Sequence, residues 1–102
     1  MAFDGSEGAE ITLSAGATLT AQYRKDNPGK NIAGFIGRDH LEHILGLDDC
    51  KGIRIYYGKK SNGQPEIIPV GADSNENDIL DYIADNVASC PNRCSTSNNL
   101  NS

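Results

Sequence analysis

Residues 50–78 read CKGIRIYYGKKSNGQPEIIPVGADSNEND and contain the clearest fold signal in the chain. Two runs rich in β-branched and aromatic residues flank Asn62-Gly63, a dipeptide that favours the positive φ angles of a tight β-turn. The pattern therefore predicts a β-hairpin over residues 53–71, with the rest of the chain packed around it.

The register of this hairpin predicts which side chains form the core. With Asn62 and Gly63 as a two-residue turn, Tyr57 lies opposite Ile68, and the apolar side chains gather on one face of the two strands. A bulge at Gly58 would shift this register by one residue and exchange the two faces. The predicted core face consists of Ile53, Ile55, Tyr57, Ile68, Val70 and Ala72.

Two prolines in the second strand of the hairpin predict the strand order of the sheet. Pro65 and Pro69 lack backbone N–H donors, and proline within sheets occurs mainly on edge strands. Residues 64–71 are therefore expected at the edge of the sheet. A third strand is then required beside residues 53–57, and the short apolar run from Ile32 to Ile36 is the expected partner.

Three short helices are predicted at about residues 14–26, 39–46 and 78–87. Ser14 is expected to cap the first helix and Asp39 the second, because their side-chain oxygens can accept the unpaired N–H groups of a first turn. The third helix is predicted from an apolar side that comprises Ile79, Leu80, Ile83 and Val87. Together these elements predict an α+β fold with about three antiparallel strands.

The length of 102 residues is sufficient for one small domain. Residues 1–10 are polar and rich in glycine, and they are expected to form a flexible arm. The α+β domain is expected to span residues 11–88. Residues 89–102 have no hydrophobic periodicity and are predicted to be an irregular or disordered tail that contains two cysteines.

Charge and hydropathy exclude several classes of protein. The formal net charge of −5 disfavours a general nucleic-acid binder, which needs clustered Lys and Arg against the phosphates. No apolar run approaches the ~20 residues that cross a bilayer, so no membrane association is expected. The start of the chain lacks the features of a secretory signal, and a cytoplasmic location is the default expectation. Export by a dedicated machinery without a leader is also compatible with these features.

Cys50, Cys90 and Cys94 are the cysteines of the chain, and their odd number argues against a complete disulfide framework. Three alternatives remain open: unpaired thiols, a disulfide that is local or linked to Cys50, and a zinc site completed by His40 and His43. No metal or other cofactor is predicted from these residues.

Catalysis is not predicted from this sequence. His40 and His43 could act as general bases, but no nucleophile in a strained turn and no glycine-rich phosphate loop accompanies them. Residues 73–78 match the first ligand positions of an EF-hand loop and then depart from it, so a turn stabilised by Asx side chains is expected there. We therefore expect a protein that is not an enzyme.

Three segments carry a resemblance to other proteins: GIRIYYG at residues 52–58, IIPVGADSNEND at residues 67–78 and CPNRCS at residues 90–95. In these segments, which belong to a stretch of about residues 11–99, the chain resembles a family of small uncharacterised bacterial proteins with an R-I-Y-x-G strand, a V-G-x-D turn and a terminal C-P-x-x-C. The resemblance implies an α+β domain without a known activity. It also implies shared structural or binding roles for Arg54, Tyr56, Asp73, Asn77, Asp78, Cys90 and Cys94.

The leading functional hypothesis is a non-catalytic binding or assembly module. Its binding surface is expected on the outer face of the hairpin, where Arg54, Tyr56 and Ile67 would meet a protein partner or a second copy of the chain. The alternative is a thiol/disulfide or structural-metal protein that uses the three cysteines.

Overall fold

The computed structural model describes residues 2–85 and 87–102, in which the chain forms two helices and five strands. Strands β2, β3 and β4 form a three-stranded antiparallel sheet, and β1 pairs with β5 in a separate two-stranded sheet. The predicted α+β class is confirmed. Neither α1 nor α2 has the length and apolarity needed to span a bilayer. The elements are α1 (Leu13–Asp26), β1 (Ala33–Phe35), α2 (Arg38–Leu45), β2 (Cys50–Lys59), β3 (Pro65–Asp73), β4 (Asp78–Ile83) and β5 (Ala88–Cys90).

The strand order of the larger sheet differs from the predicted order, because the two hairpin strands exchange the central and edge positions. β3 is the central strand and β2 lies at an edge, so the prediction that residues 64–71 form the edge was wrong. The Pro69 carbonyl accepts a hydrogen bond from the Ala84 N–H at 3.2 Å. Because N–H and C=O of one strand residue point to the same side, the Pro69 nitrogen also faces the β4 side. β4 pairs only with residues 70–72, so the missing donor of Pro69 breaks no ladder.

The predicted third strand also lies elsewhere. Residues 33–35 pair with β5, with Ala33 opposite Cys90, and do not join β2. Gly34 brings this small sheet close to the hairpin, because a Cβ built there would lie 3.0 Å from Val87 and 3.1 Å from Ile67. The three residues of this strand are exposed.

The hairpin register differs by one residue from the predicted register. Tyr57 pairs with Ile67, and Tyr56 pairs with Ile68. The loop has three residues instead of two: the Lys60 N–H donates to Gln64 and the N–H at residue 63 donates to the Lys60 carbonyl. The extra residue lies in the loop and not at position 58, where a bulge was considered.

This one-residue shift changes which side chains of β2 and β3 lie on the same face of the sheet. Arg54 and Tyr56 share a face with Ile68 and with Val70, whereas the predicted core face placed Ile68 with Tyr57. The opposite face of β2 and β3 now carries Ile53, Ile55, Tyr57, Ile67, Pro69 and Gly71.

The predicted third helix is the strand β4. Its first residues pair with β3, with Asp78 opposite Ala72 and Ile79 opposite Gly71. A tight turn joins the two strands, in which Asp73 N–H donates to the Asn77 carbonyl at 2.9 Å. The β-branched residues of this segment suit a strand, and the available hydrogen bonds along β3 decide the outcome.

The helix caps differ slightly from those expected. α1 begins at Leu13, and its cap is Thr12, whose Oγ1 accepts a hydrogen bond from the Ala15 N–H at 3.0 Å. α2 begins at Arg38 after Gly37, with no side-chain cap, and Asp39 lies within the first turn. Both helices therefore start one residue earlier than predicted.

The core lies mainly where α2 packs on the larger sheet. Ile44 of α2 is fully buried, and a Cβ built at Gly71 would lie 3.1 Å from both Ile44 and the Cys50 sulfur. The absence of a side chain at residue 71 thus permits close contact between helix and sheet. The buried residues of the core are Ile44, Pro69, Val70, Gly71, Ala72, Ala84, Val87 and Cys90.

Both terminal segments contact the domain. The Arg54 guanidinium lies 5.5 Å from the ring centre of Phe3, so the segment predicted as a flexible arm lies against β2. The segment predicted as an irregular tail forms β5 with its first two residues, and residues 91–102 contain neither helix nor strand. Arg24 of α1 donates to the carbonyls of Leu100 and Ser102.

Candidate functional site

Arg54 and Tyr56, two of the residues predicted to bind a partner, form one cluster with Asp78. The Arg54 guanidinium and the Tyr56 hydroxyl donate to different oxygens of the Asp78 carboxylate. Arg54 also donates to the Glu76 carbonyl at 3.3 Å. The cluster therefore connects the edge strand β2 to the start of β4 across β3.

The hydrogen bonds of this cluster change the acidity of its members. The bond from Tyr56, followed by the bond and charge of Arg54, lowers the pKa of Asp78. Donation to the same carboxylate raises the pKa of Tyr56. Since both oxygens of Asp78 have donors, the cluster is suited to holding strands together more than to proton transfer.

Ile67, the third residue of the predicted binding face, lies on the other side of the sheet. It pairs with Tyr57, whereas the paired residues Tyr56 and Ile68 face the opposite side. The structure therefore separates Ile67 from Arg54. The predicted set of three does not form one continuous surface.

Ile67 instead contributes to an apolar cleft of about 310 Å³ between α1 and the hairpin. Tyr57 lies at this cleft with 92% of its surface exposed, and Leu19 of α1 is 67% exposed. Ile55 follows the same face of β2 and is about half exposed. We call this region the hairpin surface, and its apolar residues are Leu19, Tyr23, Ile55, Tyr57 and Ile67.

α1 contributes its apolar stripe to the hairpin surface. The spacing of Leu19 and Tyr23 places both on one side of the helix, and α1 has no fully buried residue. The stripe is visible in the sequence as an i, i+4 spacing. Its exposure could not be found without knowing where the hairpin lies relative to α1.

The three cysteines do not come together. Cys90 and Cys94 form a disulfide, whereas Cys50 is a free thiol beside Gly71. The Cys50 sulfur donates to the carbonyl of Gly52 at 3.2 Å. Within residues 2–85 and 87–102, no group of three His, Cys, Asp or Glu side chains could hold a metal ion.

The two histidines contact Tyr82, a pairing that sequence analysis missed. The His40 Nδ1 is within hydrogen-bond distance of the Tyr82 hydroxyl, and the His43 ring centre lies 4.1 Å from the Tyr82 ring centre. The predicted third helix contains Tyr82, whereas in the structure this residue belongs to β4 and lies beside α2. The contact connects these two elements.

The turn at residues 73–77 is held by a side chain, as expected for an Asx turn. The Asp73 carboxylate accepts hydrogen bonds from the N–H groups of Asn75 and Asn77, both at 2.9 Å. Asp49 supports the same turn from outside, because its carboxylate accepts from the hydroxyl of Ser74 at 2.7 Å. These oxygens therefore have protein donors.

Comparison of the chain with protein-family models, with curated proteins and with solved structures yields no match. A functional proposal therefore rests on the residues and geometry of this chain.

Proposed function

We propose that this protein is a non-catalytic protein-binding module that contacts its partner through the hairpin surface. The observation that carries the proposal is the exposure of Tyr57, which presents 92% of its surface beside an apolar cleft. Burying such a side chain in a partner is favourable, and tyrosine is enriched among the residues that dominate binding energy.

The composition of the surface supports a protein partner. The cleft is lined largely by aliphatic and aromatic groups from α1, β1 and the hairpin. Exposed apolar areas of this kind on small proteins commonly mark interaction sites. Leu19 and Tyr57 stand on different elements, so a partner that contacts both would also fix α1 relative to the hairpin.

Arg54 and Tyr56 have a supporting role in this proposal. Their polar groups are bonded to Asp78, which fixes β2 in the sheet. A rigid strand presents Tyr57 in one orientation and lowers the entropy cost of binding.

The test is a pull-down from the cells of origin with the wild-type protein and Tyr57→Glu. The prey is identified by mass spectrometry, purified and titrated against both proteins. We expect Tyr57→Glu to weaken binding about 10-fold or more. The matched control is Leu80→Glu, which changes another exposed apolar residue, on β4.

Equal loss of binding in both variants, or no loss in Tyr57→Glu, would contradict the assignment of this surface. Light scattering at increasing protein concentration tests the version in which the partner is a second copy. A dimer that dissociates in Tyr57→Glu but not in Leu80→Glu would assign the hairpin surface to self-association.

A thiol/disulfide function is the second candidate, and the Cys90–Cys94 bond is the observation that favours it. Such a function predicts faster reduction of insulin by dithiothreitol in the presence of the protein. Cys90→Ser should abolish the acceleration and Cys50→Ser should retain it. Absence of acceleration by the wild type would exclude this candidate.

A further inference from the structure

We propose that an extended, acidic segment of a partner protein adds to the free edge of β2 as an antiparallel strand. This inference rests on the proposed function, because it specifies the partner and the geometry of binding beside the hairpin surface.

The free edge of β2 presents unpaired backbone groups. Ile55 lies opposite Pro69, whose carbonyl points toward Ala84, so this pair exchanges no hydrogen bonds. The N–H and C=O of Ile55 therefore point away from β3. By the two-residue period of a strand, the residues with outward N–H and C=O groups are Ile53, Ile55, Tyr57 and Lys59.

The edge is regular along this stretch. The pairing of β2 with β3 continues without interruption from Gly52 to Lys59, and β2 contains no proline. In the described part of the chain, no other strand pairs with β2. An open, regularly paired and proline-free edge is the template on which an extended peptide adds a strand.

The positive charge of β2 favours an acidic partner segment. The strand contains Lys51, Arg54 and Lys59 and no acidic residue. Arg54 is paired with Asp78 and Lys51 lies 3.7 Å from Asp49, whereas Lys59 has no ion pair among the described residues. A carboxylate on the added strand opposite Lys59 would supply the missing partner.

The protein's own N-terminal segment approaches the first residues of β2. A Cβ built at Gly5 would lie 3.3 Å from the carbonyl oxygen of Lys51, and Glu7 lines a cleft with residues 51–54. An acidic segment thus already lies at the start of β2. The edge from Ile55 to Lys59 lies beyond this cleft.

A second copy of the chain is a poorer occupant of this edge. The edge strand of a second copy would bring its own Lys and Arg residues and no carboxylate from β2. Lysine on edge strands is a common means by which proteins prevent such pairing with themselves. An acidic partner segment gains from the same charges.

The first experiment uses amide hydrogen exchange by NMR with two synthetic peptides. One is acetyl-Glu-Thr-Val-Thr-Val-Thr-Val-Thr-Glu-amide, and its matched control has Lys in place of both Glu residues. In the free protein, the outward amides of residues 53, 55, 57 and 59 should exchange faster than those of residues 54, 56 and 58. The acidic peptide should slow the outward amides by about 3-fold or more, and the Lys peptide should bind at least about 5-fold more weakly.

The second experiment reverses one charge. Lys59→Glu should weaken the acidic peptide and strengthen the Lys peptide, each by about 3-fold or more at low salt. Lys25→Glu, an exposed change of the same kind on α1, should alter neither affinity. Both variants preserve the backbone groups of the sheet, so a changed preference reports charge rather than folding.

The outcomes separate this inference from the proposed function. Slower exchange at the outward amides with the acidic peptide alone supports strand addition. Equal binding of both peptides, or no protection at millimolar concentration, overturns it. A purified partner whose binding depends on Tyr57 but leaves the outward amides unprotected would preserve the proposed function and overturn strand addition.

Discussion

Gly63 and Glu76 occupy equivalent positions in two hairpin loops of the same geometry. The residue before each three-residue loop, Lys60 or Asp73, donates its N–H to the carbonyl four residues later and accepts from the N–H three residues later. The third loop residue has positive φ in both, 89° for Gly63 and 69° for Glu76. Glycine adopts this conformation at little cost, whereas glutamate does not.

The first prediction follows from this difference. Glu76→Gly should raise the free energy of unfolding by about 0.5–1 kcal/mol and Tm by about 2–6 °C, since the strained conformation is relieved. The Glu76 side chain is exposed and forms no hydrogen bond within the described residues, so little is lost with it. Thermal and urea unfolding measure the change.

The second prediction is the reverse substitution in the other loop. Gly63→Ala should lower the free energy of unfolding by about 1 kcal/mol, because alanine disfavours positive φ. A Cβ there would lie 3.6 Å from the nearest atom, the Lys30 ammonium, so crowding adds little. Equal effects of opposite sign at the two positions would confirm that the loops are equivalent, whereas destabilisation by both changes would refute it.

The third prediction concerns pH. The pKa of Asp78 is lowered in the folded protein, chiefly by the hydrogen bond from Tyr56 and then by Arg54. Its stabilising contribution is therefore complete above the ordinary carboxyl pKa of about 4 and is lost as pH falls through the lower folded value. Wild type should exceed Asp78→Asn in stability at neutral pH, and the difference should shrink below about pH 4.

Tyr56→Phe serves as the companion to that experiment. It removes the larger cause of the lowered pKa while leaving the Arg54 ion pair with Asp78 in place. The pH dependence of its stability should lie between those of wild type and Asp78→Asn. A pH profile of Tyr56→Phe identical to that of wild type would show that the hydroxyl does not act on Asp78.

The fourth prediction tests the contact between the two sheets. Gly34→Ala should destabilise the protein by about 1–3 kcal/mol, because the new methyl group would lie 3.0 Å from Val87 and 3.1 Å from Ile67. Val87→Ala alone should also destabilise, by leaving a cavity. The double variant should be more stable than the sum of the two effects implies, and simple additivity would contradict the contact.

The fifth prediction concerns the thiols. Intact mass after alkylation in denaturant should show one modified cysteine before reduction and three after it, because only Cys50 is free. Reduction of Cys90–Cys94 should cost about 2 kcal/mol at most, since the bond closes a short loop. Cys90→Ser should reproduce the loss and should not respond further to reductant.

The hairpin could be predicted from sequence because its evidence is local. Asn62 and Gly63 favour a turn, and the flanking residues favour strands. The register could not be fixed in the same way, because loops of two and of three residues both use these turn residues. One additional loop residue moved Ile67 away from Arg54 and changed the predicted binding face.

The strand order and the third helix depended on contacts between distant residues. Proline in a strand favours an edge position, yet the Pro69 nitrogen faces a stretch where β4 pairs with only a few residues of β3. Ile79 and Ile83 have a spacing that also fits a helix, and the partner strand decides between the two conformations. Strand order and the choice between helix and strand depend on tertiary pairing, which the conformational propensities of single residues do not predict.

Irregularity in β4 determines how far the larger sheet can be extended. Its pairing with β3 jumps from Ile79 to Ile83, so its outer side offers no straight template, whereas β2 is regular from Gly52 to Lys59. A strand that joins β2 would complete a four-stranded sheet whose other edge, the outer side of β4, is irregular in the described part of the chain. Under the proposed strand addition, we expect the larger sheet to accept a strand at β2 and to end at β4 instead of propagating.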